Sequence, residues 1–211
     1  TGGSAITNYQ YSTDGGTTAT NATTLGSGSY NAVAVSANGS KVLAARGTQL
    51  FTYSGGTWAA STSPALSWSS VASSANGTNL VAAASGDKVH VSTNSGTTWT
   101  AVGAARDWEA VTSSADGMKL AGAVYNGLIY TTTDGGTNWT TRGSVNRYWT
   151  SIASSTDGTK LAATEVNGQI YTSDDSGATW TARESARAWS SISMSADGKL
   201  LLAGVLGGKL Y

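Results

Sequence analysis

Short runs of alternating apolar and polar residues fill this chain, and small clusters of Gly, Asn and Asp separate them. Trp149–Ser154 reads WTSIAS, an alternating run, whereas Lys119–Val124 reads KLAGAV, an apolar one. A period of two marks half-buried strands. The abundance of Thr, Val, Trp and Tyr favours strands over helices, and Gly and Ser favour turns.

The pattern itself recurs. Blocks begin at Trp68, Trp108, Trp149 and Trp189, with a looser copy at Tyr30. A period of about 40 residues with strand-like content predicts the blades of a β-propeller. Each repeat divides into four strands. Strand a follows the leading aromatic residue. The a–b turn reads SANG at 36–39 and 74–77, SADG at 114–117 and 195–198, and STDG at 155–158. Asn-Gly and Asp-Gly supply the positive φ angles of a tight hairpin. Strand b is Lys119–Val124 or Lys160–Thr164, and a loop with Asn126-Gly127 or Asn167-Gly168 leads to strand c, Leu128–Thr132 or Gln169–Ser173. Strand d carries Trp58, Trp99, Trp139 or Trp180.

The expectation is therefore one all-β domain spanning 1–211, a five-bladed β-propeller of four-stranded antiparallel blades. The last copy stops in strand c at Tyr211, and YQYSTDGGTTAT at 9–20 matches the end of strand c, its turn and strand d. Residues 1–24 are thus expected to complete the last blade. Both termini would close the ring and leave no open sheet edge. Whether 7–11 or 207–211 supplies strand c of that blade stays open.

Composition narrows the function. Twelve basic and 12 acidic side chains cancel. A zero net charge argues against a nucleic-acid partner and against an electrostatic membrane anchor. No apolar run reaches the ~18 residues of a membrane span. Charged residues make up 11%, against about 25% in ordinary soluble domains. Ser, Thr, Asn and Gly must then cover the surface, a composition common on secreted and cell-surface proteins, so an extracellular location is expected. The chain opens TGGSAITNYQ, with no visible signal peptide. Cysteine is absent, which removes disulfides, thiol nucleophiles and thiolate metal sites.

The c–d turns carry a further motif: SDDSGATW at 173–180, TTDGGTNW at 132–139, STNSGTTW at 92–99 and STDGGTTA at 12–19. This resembles the Asp-box, S/T-x-D-x-G-x-T-W, of sialidases and other BNR-repeat propellers. Asn94 replaces the Asp, Ala19 replaces the Trp, and the turn at 52–58 is shortened to TYSGGTW. Asp14, Asp134 and Asp175 are expected to accept bonds from turn amides. The resemblance implies the same, since Asp-boxes lie on the face away from the ligand site.

Antiparallel order places the a–b and c–d turns on one face, and the d–a and b–c loops on the other. On the second face ARDW (105–108), NRYW (146–149) and ARAW (186–189) recur. Arg106, Arg147 and Arg187 each stand two residues before Trp108, Trp149 and Trp189. The b–c loops add Tyr125, Asn126, Glu165 and Asn167. A guanidinium gives fixed donors, a ring stacks on the apolar face of a sugar, and an amide both donates and accepts. These ten residues are the expected ligand site. The competing reading is that the Trp rings pack between blades and the Arg side chains stack on them. His90, by alternation, replaces Tyr130 or Tyr171 and reads as packing.

No metal, cofactor or catalytic residue is expected. Sialidases need an arginine cluster, a Tyr–Glu pair and an Asp acid, and those residues are unique, not repeated. The chain has only Glu109, Glu165 and Glu184, and its short loops wall off little from water. The blade number resembles the tachylectin-type lectins, which implies weak glycan sites gaining by avidity. A monomeric, non-enzymatic glycan-binding propeller is the expectation. The alternatives are a protein-interaction or structural scaffold, as in propellers of the YCF48 and sortilin types, or a recently amplified or designed propeller with no selected ligand.

Overall fold

The computed structural model describes residues 10–11, 20–21 and 29–211. Every described element is a β-strand, and every ladder between strands is antiparallel. β1 (Gln10–Tyr11) pairs with β2 (Thr20–Asn21) through Tyr11↔Thr20. The turn expected between them, and most of the segment expected to complete the last blade, lie outside the described residues.

The first unit is a four-stranded meander of β3 (Tyr30–Val35), β4 (Lys41–Arg46), β5 (Gln49–Ser54) and β6 (Thr57–Ala60). β7 (Trp68–Ser73) opens the second unit. β8 (Leu80–Ser92) supplies its b and c limbs and turns at Gly86 (φ 78°). β9 (Thr100–Ser113) is strand d of the second unit and strand a of the third, which continues through β10 (Leu120–Val124), β11 (Gly127–Thr132) and β12 (Thr140–Arg147). The fourth unit repeats this with β13 (Trp149–Ser154), β14 (Leu161–Ser173) and the first limb of β15 (Thr181–Met194). The second limb of β15 pairs with β16 (Leu201–Val205), and Tyr211 exchanges backbone bonds of 2.9 Å with Ala203.

Four strands therefore run on where loops were expected: β8 and β14 through the b–c tips, and β9 and β15 through the d–a links. The reason lies in the ladder. Asp87↔Arg106, Gly127↔Arg147 and Gly168↔Arg187 pair each b–c tip with the neighbouring d–a link. That pairing satisfies link amides that a loop would leave to water. The opposite face is tied in the same way: Ser95, Gly135 and Ser176 of the c–d turns donate to Thr78, Met118 and Thr159 of the a–b turns. The division into two faces holds as expected.

The core sits in the joints between units. Leu43, Ala45 and Leu50 pack on Trp68, Val71 and Leu80. Val81, Ala83 and Val89 pack on Trp108, Val111 and Leu120. Ala121, Ala123 and Ile129 pack on Trp149, Ile152 and Leu161. Small residues on strand b make room for the indoles: a Cβ at Gly122 would stand 2.6 Å from Trp108 Cζ3. A belt of backbone bonds also links successive a–b turns, Ala37 N to Ala75 O, Ala75 N to Ala115 O, Ala115 N to Thr156 O and Thr156 N to Ala196 O, each 2.8–2.9 Å.

The first and last units show what the joints do. Val33 is 64% exposed, while its counterpart Val71 is 7% exposed; Leu202 is 52% exposed, while its counterpart Leu43 is fully buried. The first and last units thus expose opposite halves of the kind of joint that the inner units bury.

Candidate functional site

Arg106, Arg147 and Arg187 sit in extended, ladder-paired backbone, which aims each side chain along the next unit. Their guanidinium carbons stand 4.1, 4.3 and 4.3 Å above the rings of Tyr130, Tyr171 and Tyr211. Those rings meet Trp108, Trp149 and Trp189 edge-on at 5.6, 5.4 and 5.4 Å. The result is a repeated stack of guanidinium, phenol and indole. Trp108 and Trp189 are 1% exposed and Trp149 is 5% exposed. This corrects the expectation that a sugar stacks on these indoles: they pack inside the joints, and tyrosines fill the place beneath the arginines.

Where the second unit replaces the tyrosine by His90, the arginine position holds Leu66. His90 packs edge-on against Trp68 at 5.3 Å, with Nε2 3.5 Å from Asp87 Oδ1.

Asn126 and Asn167 also change role. Their φ angles are 49° and 53°, and the corresponding residues of the second and fifth units are Gly86 (78°) and Gly207 (67°). Asn is the side-chain-bearing residue that best tolerates this left-handed geometry. That backbone conformation by itself accounts for Asn or Gly at these positions.

Glu165 is largely buried. Its Oε2 accepts from Arg147 Nη1 at 3.1 Å and from the Tyr171 hydroxyl at 3.3 Å. Burial pushes the Tyr171 phenol above its ordinary pKa, with the Arg147 charge opposing. Glu109 occupies the bulge of strand a, at the position of Ser69, whose hydroxyl donates to Trp108 O. Partial burial raises its carboxyl above the usual range.

Tyr125 is the predicted aromatic residue that stays open, at 51% exposure. It meets Tyr148, 45% exposed, with ring centroids 5.2 Å apart at 66°. Val166 is exposed and its N donates to Tyr148 O, and Val145 is exposed three residues before Tyr148. Sequence reasoning missed Tyr148, although the signal was present: it breaks the repeat where the other units have Asp107 and Ala188.

On the opposite face the Asp side chains hold their own turns. Asp175 Oδ1 accepts from Thr179 N and Ser173 Oγ, both at 2.8 Å. Asp134 does the same with Asn138 N and Thr132 Oγ1. Thr179 Oγ1 also donates to Asp175 Oδ2 at 2.6 Å and Asn138 Nδ2 to Asp134 Oδ2 at 2.7 Å, and together these bonds hold both carboxyls at about 2, below the ordinary range.

No family model matches the chain, and no curated protein matches it. Solved structures do. An ancestral GH74 enzyme is 20% identical with a TM-score of 0.68, covering 86% of this chain and 30% of its own. YCF48 bound to D1 peptide is 16% identical with a TM-score of 0.65, covering 87% of this chain and 64% of its own. A chain of a nidogen–laminin complex is 14% identical with a TM-score of 0.66, covering 83% and 72%. The chain thus spans under a third of the GH74 enzyme and less than two thirds of YCF48. What it shares with them is a β-propeller fold.

Proposed function

We propose that this chain is a non-enzymatic, carbohydrate-binding β-propeller of the Asp-box type, which presents its ligand site on the d–a and b–c face. One observation carries the reading: the exposed Tyr125–Tyr148 pair, 5.2 Å apart, on that face. Two rings tilted at 66° form an open platform, and the apolar C–H face of a pyranose stacks on such a surface while its hydroxyls stay wet. Arg147 and Glu165 lie next to it with donor and acceptor groups.

The same reading includes a closed ring of five blades. Three unmatched halves support it. Ala196 N–H and Ala37 C=O are the two ends of the turn belt. Lys41, Asn79, Lys119 and Lys160 each cover the turn glycine of the next unit, whereas Gly39 has no atom within 4 Å of a Cβ position and Leu200 is exposed. Leu202 and Val33 are the two halves of a joint.

A glycan-array screen of the wild type beside Tyr125→Ala and Tyr148→Ala tests the function. The reading expects glycan binding that falls at least tenfold in either variant, with unchanged circular dichroism. A runner-up, an apolar peptide partner, is favoured by the exposed Val145 and Val166. No glycan bound by the wild type sinks the lectin reading and leaves that one.

A further inference from the structure

The joint between the third and fourth units contains a cleft of about 220 Å3, and no earlier joint is built in the same way. In the joint between the first and second units, the indole of Trp99 closes the gap by donating to Ser61 Oγ at 2.6 Å. In the next joint Trp139 lies on Gly103, where a Cβ would stand 2.9 Å from Trp139 Cδ1. In the third, Arg142 replaces the apolar Val102, and the Cβ position of Gly143 has nothing within 4 Å. Trp180 turns back instead, and its Nε1 donates to Gly177 O of its own turn at 3.0 Å.

The cleft is walled by Trp180 and Tyr171 on one side, and by Arg142, Val145 and Arg147 on the other. Its charge is unbalanced. Arg147 is neutralised by Glu165 at 3.1 Å. Arg142 is not: among the described residues only its Nε is engaged, donating to Thr131 Oγ1 at 2.7 Å. Its outer donors are uncommitted, in a fork that suits a carboxylate. The volume lies below the ~300–1,000 Å3 of pockets for drug-sized ligands, so it suits one ring and not a chain of them.

We propose that this cleft is a binding site for a single pyranose ring bearing a carboxylate, of the hexuronate class, with the ring against Trp180 and the carboxylate on Arg142. The proposal rests on the carbohydrate reading and deepens it: Val145 and Arg147 line the cleft and flank Tyr148, so the two surfaces adjoin.

Titration of the folded protein with methyl glucuronide and methyl glucoside, read by tryptophan fluorescence and calorimetry, tests it. The expected result is saturable glucuronide binding, at least tenfold tighter than glucoside. Arg142→Met loses that preference, and Arg142→Lys weakens binding while keeping it. If Arg142→Met fails to fold, Arg142→Lys decides alone: unchanged glucuronide affinity overturns the site. Equal affinity for the two sugars, or none for glucuronide, also overturns it. Array binding that still depends on Tyr125 and Tyr148 would leave the carbohydrate reading standing without this cleft.

Discussion

Left-handed backbone positions govern several residue choices in this chain. Glu184 has a φ of 61° where the two preceding units carry Gly103 (71°) and Gly143 (78°). A side chain in that region costs about 1–2 kcal/mol, part of which is offset by the extra freedom of unfolded glycine. Glu184→Gly is expected to gain about 1 kcal/mol and raise the melting temperature by about 2–4 °C. Gly103→Ala should lose about 2 kcal/mol, because strain adds to collision with Trp139. Asn126→Gly and Asn167→Gly should leave ligand binding unchanged, as measured by titration, since φ explains both residues. The turn carboxylates respond to pH. Asp134 and Asp175 sit at about 2 in the fold, below the unfolded value near 3.9. Their contribution is present above pH ~4 and is lost as pH falls towards 2. Melting curves across that range should show the decline. Asp134→Asn with Asp175→Asn should lessen it without opening the turns, while Asp116, Asp157 and Asp197, also held below the ordinary range, keep the rest; Asn94 already accepts from Thr98 N and Ser92 Oγ in the same geometry.

At the level of elements, the stack of guanidinium, phenol and indole unites strands from different parts of a unit. The second unit, with Leu66 and His90, offers a place to rebuild it. Leu66→Arg and His90→Tyr together should show a coupling of about 0.5–1 kcal/mol beyond the single changes, measured by a double-mutant cycle in denaturant. The four-strand repeat and its two faces were legible from sequence, because Trp spacing and Asn-Gly or Asp-Gly turns act locally. The fusion of d and a into single strands was not, because it depends on Arg106 and Arg187 meeting Asp87 and Gly168 across the sheet. The arginines were found by repetition, but repetition marks structure as readily as function. Trp108, Trp149 and Trp189 recur because every joint needs a large apolar plug. The open platform was half missed for the opposite reason: Tyr148 stands where the pattern fails, and only the fold brings it to Tyr125.

At the scale of the molecule, each joint buries one face of a unit against the next, and in the proposed ring the end units satisfy theirs against each other. Trp→Ala at a buried joint costs about 3–5 kcal/mol, which indicates how much one joint matters to the fold. Closure would also hold the Tyr125–Tyr148 platform rigid against rocking of the units. Residue-resolved amide hydrogen exchange, with and without the best glycan from the array, tests ring and binding face together. The account predicts that Ala196 N–H is protected as strongly as Ala75 N–H in the free protein. It also predicts that glycan adds protection only around 125–126, 145–148 and 165–168. Fast exchange at Ala196, or glycan-dependent protection centred on the turns at 114–117 and 155–158, would contradict it.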